Sequence, residues 1–110
     1  MNASQAERVL DALGDPTRRV VFRRLRKGNR SVRELADGMD VSRPAVSQHL
    51  KVLQAAGLVV PRIEGTRRLY AIDTRGLEAL RKWLDGFWDE ALLAFKAAAE
   101  REAAKERQRS

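Results

Sequence analysis

The chain has 110 residues, a formal net charge of +7, one histidine and no cysteine. That length implies one domain, and 44% hydrophobic with 34% charged residues places the sequence among folding chains rather than disordered ones. The missing cysteines exclude disulfides, thiol chemistry and thiolate metal sites, and one histidine excludes a histidine-pair metal site.

Val9, Leu10 and Leu13 behind Ser4 predict a first helix over residues 4–13, stopped by Gly14. Asp15-Pro16 reads as an N-cap followed by proline at the first position of a second helix. Its apolar stripe is Val20, Val21, Leu25 and Phe22, and Gly28 ends it. Ser31-Val32-Arg33-Glu34 is a capping box that opens a short helix with Val32, Leu35 and Met39 turned inward. Gly38-Met39-Asp40-Val41 breaks the pattern, and Ser42 caps a further helix from Arg43 to Ala56 that Gly57 ends. Two helices joined by a tight, Gly-containing turn are the ingredients of a helix-turn-helix. Val59–Glu64 and Arg67–Ile72, around Glu64-Gly65-Thr66, predict a β-hairpin in which Pro61 must take an edge or a bulge. Asp73 or Thr74 restarts a helix that extends to about Lys105. The expected fold is mainly α with a small β-hairpin, in the order α-α-α-α-β-β-α. Residues 1–96 form the domain, and 97–110 form a polar, partly helical or frayed tail.

The positive charge is concentrated. Residues 17–68 hold 13 Lys/Arg against 4 Asp/Glu, a net of +9, while the segments on either side together sum to −2. Such a central block suits a polyanion, so double-stranded DNA is the expected partner. On a helical wheel Val46, Leu50 and Leu53 form the buried stripe of the helix after Ser42, and Gln48 points nearly opposite. Pro44, Ala45, Ser47 and Lys51 fill the exposed arc, and residues 41–57 contain no acidic side chain. Gln suits adenine, Arg suits guanine and Ala can meet a thymine methyl, so Ser42, Arg43, Ala45, Ser47 and Gln48 are assigned to base contacts. Arg18, Ser31, His49, Lys51 and the hairpin residues Arg62, Arg67 and Arg68 are assigned to phosphate; hairpin arginines also serve to protect a sheet edge. His49, on the margin of the buried stripe and without ligand partners nearby in sequence, reads as a backbone or phosphate hydrogen-bonder rather than a metal ligand.

Leu77, Leu80, Leu84, Phe87, Ala91 and Phe95 recur at three- and four-residue steps, with Trp83, Trp88 and Leu92 beside them. So wide an apolar stripe exceeds what a small domain can cover. A second subunit is its expected cover, through Leu84, Phe87, Trp88, Ala91 and Phe95 together with Val9, Leu10 and Leu13 of the first helix. The same aromatic interface offers a place for an unidentified small-molecule effector.

Leu13-Gly14-Asp15-Pro16-Thr17-Arg18, the string Ser42-Arg43-Pro44-Ala45-Val46-Ser47-Gln48-His49-Leu50-Lys51-Val52-Leu53, and Ala56-Gly57-Leu58-Val59 resemble the ArsR/SmtB family of bacterial winged helix-turn-helix repressors. The resemblance spans roughly residues 6–95. It implies a winged helix-turn-helix fold and a homodimer that covers an inverted-repeat operator and blocks transcription. Metal sensors of the family carry cysteines where this chain has Ser31 and Arg33. A second family metal site uses His and acidic groups on the last helix, which here holds Asp73, Glu78, Asp85, Asp89 and Glu90 in its vicinity but no His. The chain therefore resembles the metal-independent branch, with no metal and no cofactor expected. The sequence lacks a nucleophile–base pair and a phosphate-cradling Gly-rich loop, so it is not read as an enzyme. The competing reading is a winged-helix interaction module that docks on protein without reading DNA. No export-signal pattern or apolar run of ~18 residues occurs, so a cytoplasmic protein without membrane contact is expected.

Overall fold

The computed structural model describes residues 2–109, and the side chains of residues 5–109. Five helices and one hairpin follow in chain order: α1 (Asn2–Leu13), α2 (Pro16–Arg24), a 3-10 turn (Leu25–Lys27), α3 (Val32–Ala36), α4 (Arg43–Ala55), β1 (Val59–Glu64), β2 (Arg67–Ile72) and α5 (Thr74–Arg109). Local capping sets three of the starts. Asp15 accepts hydrogen bonds from the Thr17 and Arg18 backbone N–H groups at 2.8 and 3.1 Å. Those donors, Arg18 foremost, hold its carboxyl below the usual carboxylate range. The capping box at α3 is complete in both directions, and Ser42 Oγ accepts from the Ala45 N–H at 3.2 Å.

Four boundaries differ from expectation, one of them only by a residue: α4 ends at Ala55, with Ala56 as its C-cap. Helix α1 already includes residues 2 and 3, so Ser4 is not its cap; the Ser4 side chain lies outside the described residues. Helix α2 tightens into the 3-10 turn at Leu25 before Gly28 closes it, as i→i+3 bonds commonly satisfy the last carbonyls of a helix. Helix α5 runs past Lys105 to Arg109 without a break at residue 96. Its last turns are rich in Ala, Glu, Lys and Arg, all strong helix formers. Ser110 lies outside the described residues.

The core gathers Val21 and Leu25 of the α2 segment, Leu35 of α3, and Val46, Leu50 and Leu53 of α4, with Leu58 and Val59 leading into β1. Helix α4 is thus held by its apolar stripe against α2 and α3, as its spacing predicted. Helix α1 packs along α5, and Val9 is 0% exposed within the subunit. That corrects its assignment to a dimer surface: a side chain already buried in its own core has no area to give a partner. Leu13 is likewise partly buried against the core, whereas Leu10 stays 40% exposed.

The hairpin pairs Val59 with Ile72 through Glu64 with Arg67. Tyr70 exchanges both backbone hydrogen bonds with Arg30, at 2.7 and 3.1 Å, so its polar groups turn away from β1. Pro61 lies opposite Tyr70 and is therefore at a non-hydrogen-bonded position, where the missing N–H faces the open edge.

Helix α5 enters the domain across the end of α4. The Gly76 N–H donates to the Gly57 carbonyl at 2.9 Å, and a Cβ on Gly76 would stand 2.7 Å from that oxygen and 2.9 Å from the Ala56 oxygen. Gly76→Ala is expected to lower unfolding free energy by about 1–3 kcal/mol, the cost of forcing backbone apart in a packed crossing. Gly86→Ala, whose Cβ would meet nothing within 4 Å, should instead stabilise by about 0.5–1 kcal/mol. Urea melts of the two variants check both signs.

Most of α5 leaves the body of the domain. The radius of gyration is 20.9 Å, with extents of 75 × 29 × 22 Å, against about 13 Å for a compact chain of this length. Its projecting part carries Phe87, Trp88, Leu92, Leu93 and Phe95 in solvent.

Candidate nucleic-acid interface

Helix α4 presents the outward face that its buried stripe dictates. Ser42, Arg43, Pro44, Gln48 and Lys51 are exposed, while Ala45, Ser47 and His49 are half-buried along the same helix. The five residues assigned to bases therefore fall on the N-cap and first two turns of one helix, spaced by its own periodicity. Behind its N-terminus, a concavity of about 590 Å³ lies between α3 and α4, lined by Arg33, Glu34, Asp37, Ser42 and Arg43 among others. A second, of about 400 Å³, is lined by Val20, Arg23, Arg24, Lys27, Arg30 and Glu34. Among the described residues, no three His, Asp or Glu side chains are grouped to hold a metal ion. Ser31, at one of the two positions where metal sensors of the resembled family carry cysteine, has its hydroxyl engaged by the Glu34 N–H at 3.2 Å.

The basic helix α2 divides its arginines between two tasks, which the sequence pattern did not reveal. Arg18 Nε donates to the Ala12 carbonyl at 2.7 Å, and Arg19 Nη1 donates to the Leu13 carbonyl at 2.6 Å. Arg24 Nη1 donates to the carbonyls of Leu35 and Asp37. Each satisfies C-terminal carbonyls of α1 or the end of α3, where cations also complement the helix dipole. Arg18 additionally lies 4.0 Å from Asp15, with its side chain only 20% exposed. The outward charge of this segment is then Arg23, Arg26 and Lys27, all exposed.

At the hairpin, Arg62, Arg67 and Arg68 are exposed, and Arg68 sits 5.7 Å from the Tyr70 ring centroid in cation–π geometry. Arg67 reaches back to α3: its Nη2 donates to Glu34 Oε1 at 2.8 Å. The Ser31 backbone N–H and hydroxyl, and then Arg67 and Arg30, hold the Glu34 carboxyl below the usual range. Ile63 is 71% exposed on β1, opposite Arg68. It belonged to no sequence-assigned set, although an apolar residue beside a hairpin tip was the signal available.

Comparison with known proteins places this geometry in a wider group. Residues 13–62 match a helix-turn-helix domain family. The chain is 54% identical over 89 residues to the HTH-type transcriptional regulator Rv2034 of Mycobacterium tuberculosis, covering 81% of this chain and 83% of that protein. It is 43% identical over 67 residues to the HTH-type transcriptional repressor SmtB of Mycobacterium tuberculosis, where the match covers 61% of this chain and 50% of the repressor. Among solved structures, an ArsR-like transcriptional regulator from Rhodococcus sp. RHA1 superposes with a TM-score of 0.73 at 32% identity, covering 88% of this chain and 94% of that one. The homodimeric winged helix-turn-helix DNA-binding domain Mb0332 of Mycobacterium bovis superposes with a TM-score of 0.61 at 32% identity, covering 82% and 83%.

Proposed function

The chain belongs to the ArsR/SmtB family of winged helix-turn-helix transcriptional regulators, and on that premise we propose that it is a homodimeric repressor that reads an inverted-repeat operator. The observation that carries this reading is α4: Val46, Leu50 and Leu53 are buried in the core, and its outward face, Val52 apart, is small, polar and basic with no acidic side chain. Each subunit lays this helix in a major groove, with Ser42, Arg43, Ala45, Ser47 and Gln48 on base edges. Lys51, His49 and the wing residues Arg62, Arg67 and Arg68 meet the phosphate backbone. Arg18 and Ser31 complete the phosphate set, Arg18 through the guanidinium N–H donors that its bond to the Ala12 carbonyl leaves open. The second subunit covers the projecting face of α5; a homodimeric relative from Mycobacterium bovis supports the existence of a dimer. The protein works as a cytoplasmic binding protein, without metal and without catalysis.

Selection of bound duplexes from a random library tests the reading, with enrichment of a two-fold-symmetric sequence as the expected result. No enriched sequence would leave the protein-docking alternative standing. The wing makes a separate prediction. Arg68→Ala should weaken binding to operator and random duplex alike and reduce the log–log salt slope by roughly one, the signature of one lost phosphate contact. Anisotropy titrations across a salt series measure it, and an unchanged slope would remove Arg68 from the phosphate set.

A further inference from the structure

Beyond the Tyr70–Arg30 backbone pair and the shared core, the wing and the helix-turn-helix meet at one carboxylate oxygen. Glu34 Oε1 accepts from the Ser31 backbone N–H at 2.9 Å and from Arg67 Nη2 at 2.8 Å. The first contact belongs to the capping box, whose other bond runs from the Glu34 N–H to Ser31 Oγ, so this end of the bridge is fixed to α3. The second comes from β2, 33 residues further along the chain. Glu34 also borders both concavities of the basic face, with Arg23, Arg24, Lys27, Arg30 and Arg33 lining them.

A carboxylate at the centre of such a face repels an approaching polyanion, so by Coulomb's law alone it is a liability there. Its effect on Arg67 runs the other way. The contact occupies one of the guanidinium's five N–H donors and leaves the others open to a phosphate. It also holds a long, rotamer-rich side chain in one orientation, which lowers the entropy lost when that side chain engages DNA. Because Glu34 is itself anchored to α3, the same contact adds a side-chain tie between the wing tip and α3 to the Arg30–Tyr70 backbone pair.

We propose that Glu34 is a positioning residue for DNA binding, orienting the Arg67 fork toward a backbone phosphate and tying the wing to the helix-turn-helix. The proposal rests on the DNA-binding reading above. It predicts a sign that electrostatics alone cannot produce. On a mixed-sequence duplex of roughly three helical turns, Glu34→Ala should weaken binding about five- to tenfold, the worth of one well-oriented charged contact. Glu34→Gln, which retains a capping-box residue and a weaker acceptor, should weaken it less. In an Arg67→Ala background the same two substitutions should become neutral or tighten binding, because only the repulsion is then removed. Arg67→Lys, with the charge but not the fork, should lose much of the same affinity while keeping the salt slope. Circular dichroism and melting of each variant verify the fold, and Glu34→Gln carries the test if Glu34→Ala unfolds.

Equal tightening by Glu34→Gln in both backgrounds would overturn the positioning role and leave Glu34 as a repulsive charge. Failure of the unsubstituted protein to bind the duplex at all would overturn the DNA-binding reading instead, so the two failures are distinguishable.

Discussion

For the proposed homodimeric repressor, Trp88→Glu combined with Phe95→Glu is expected to convert dimer to monomer and to remove most of the operator affinity. The two side chains are 67% and 74% exposed within a single subunit, so the substitutions disturb no intramolecular core. Beside Trp88, Leu77, Leu80 and Leu84 line a shallow groove on α5, and Trp83 meets Phe87 edge to face with centroids 4.7 Å apart. A contiguous apolar face of this kind on a projecting helix is stabilised by a partner, and two buried carboxylates per subunit would be prohibitive there. The consequence for DNA follows from linkage: two recognition helices on one particle bind two half-sites with an avidity about 10²–10⁴ above one alone. Sedimentation should therefore show half the native mass, and titration should show an affinity loss of that order with helicity retained. A dimer that survives both changes would move the interface off this face of α5.

The second large effect is expected at the recognition helix. Ser47→Ala with Gln48→Ala should abolish most of the preference for operator over random duplex while leaving the salt slope unchanged. A good bidentate contact discriminates against the wrong base by about 1–3 kcal/mol, and a two-fold operator counts that loss twice. Unfolding does not account for the loss, because Gln48 is exposed, Ser47 is half-buried, and alanine is the stronger helix former at both positions. Comparing titrations on a selected duplex and a scrambled one gives the ratio directly. A ratio unchanged by the double substitution would take base reading away from these side chains.

Much of the architecture was legible because it is set by contacts within a few residues. Asp15-Pro16, the Ser31–Glu34 box and Ser42 each satisfy backbone donors two or three positions away, so the helix starts could be read in one dimension. The α4 stripe of Val46, Leu50 and Leu53 was legible for a related reason, since a period of 3.6 decides which side chains can be buried together. Helix ends were less legible. The 3-10 turn after α2 and the continuation of α5 to Arg109 depend on small differences between helical and frayed states rather than on a marked breaker residue.

What the sequence by itself determined is the order of elements, the outward chemistry of α4 and the concentration of positive charge between residues 17 and 68. Only the tertiary structure decided how that charge is divided: Arg18, Arg19 and Arg24 cap the carbonyls of neighbouring helices, and Arg67 is tied to Glu34. It also placed Val9 in the subunit's own core rather than on a partner-facing surface, and brought Gly76 against Gly57. The physical reason is the same in each case. A side chain's type and local period state what it can do, but a guanidinium's partner, or which of two apolar faces is covered, depends on residues distant in sequence that only packing brings within a few ångströms.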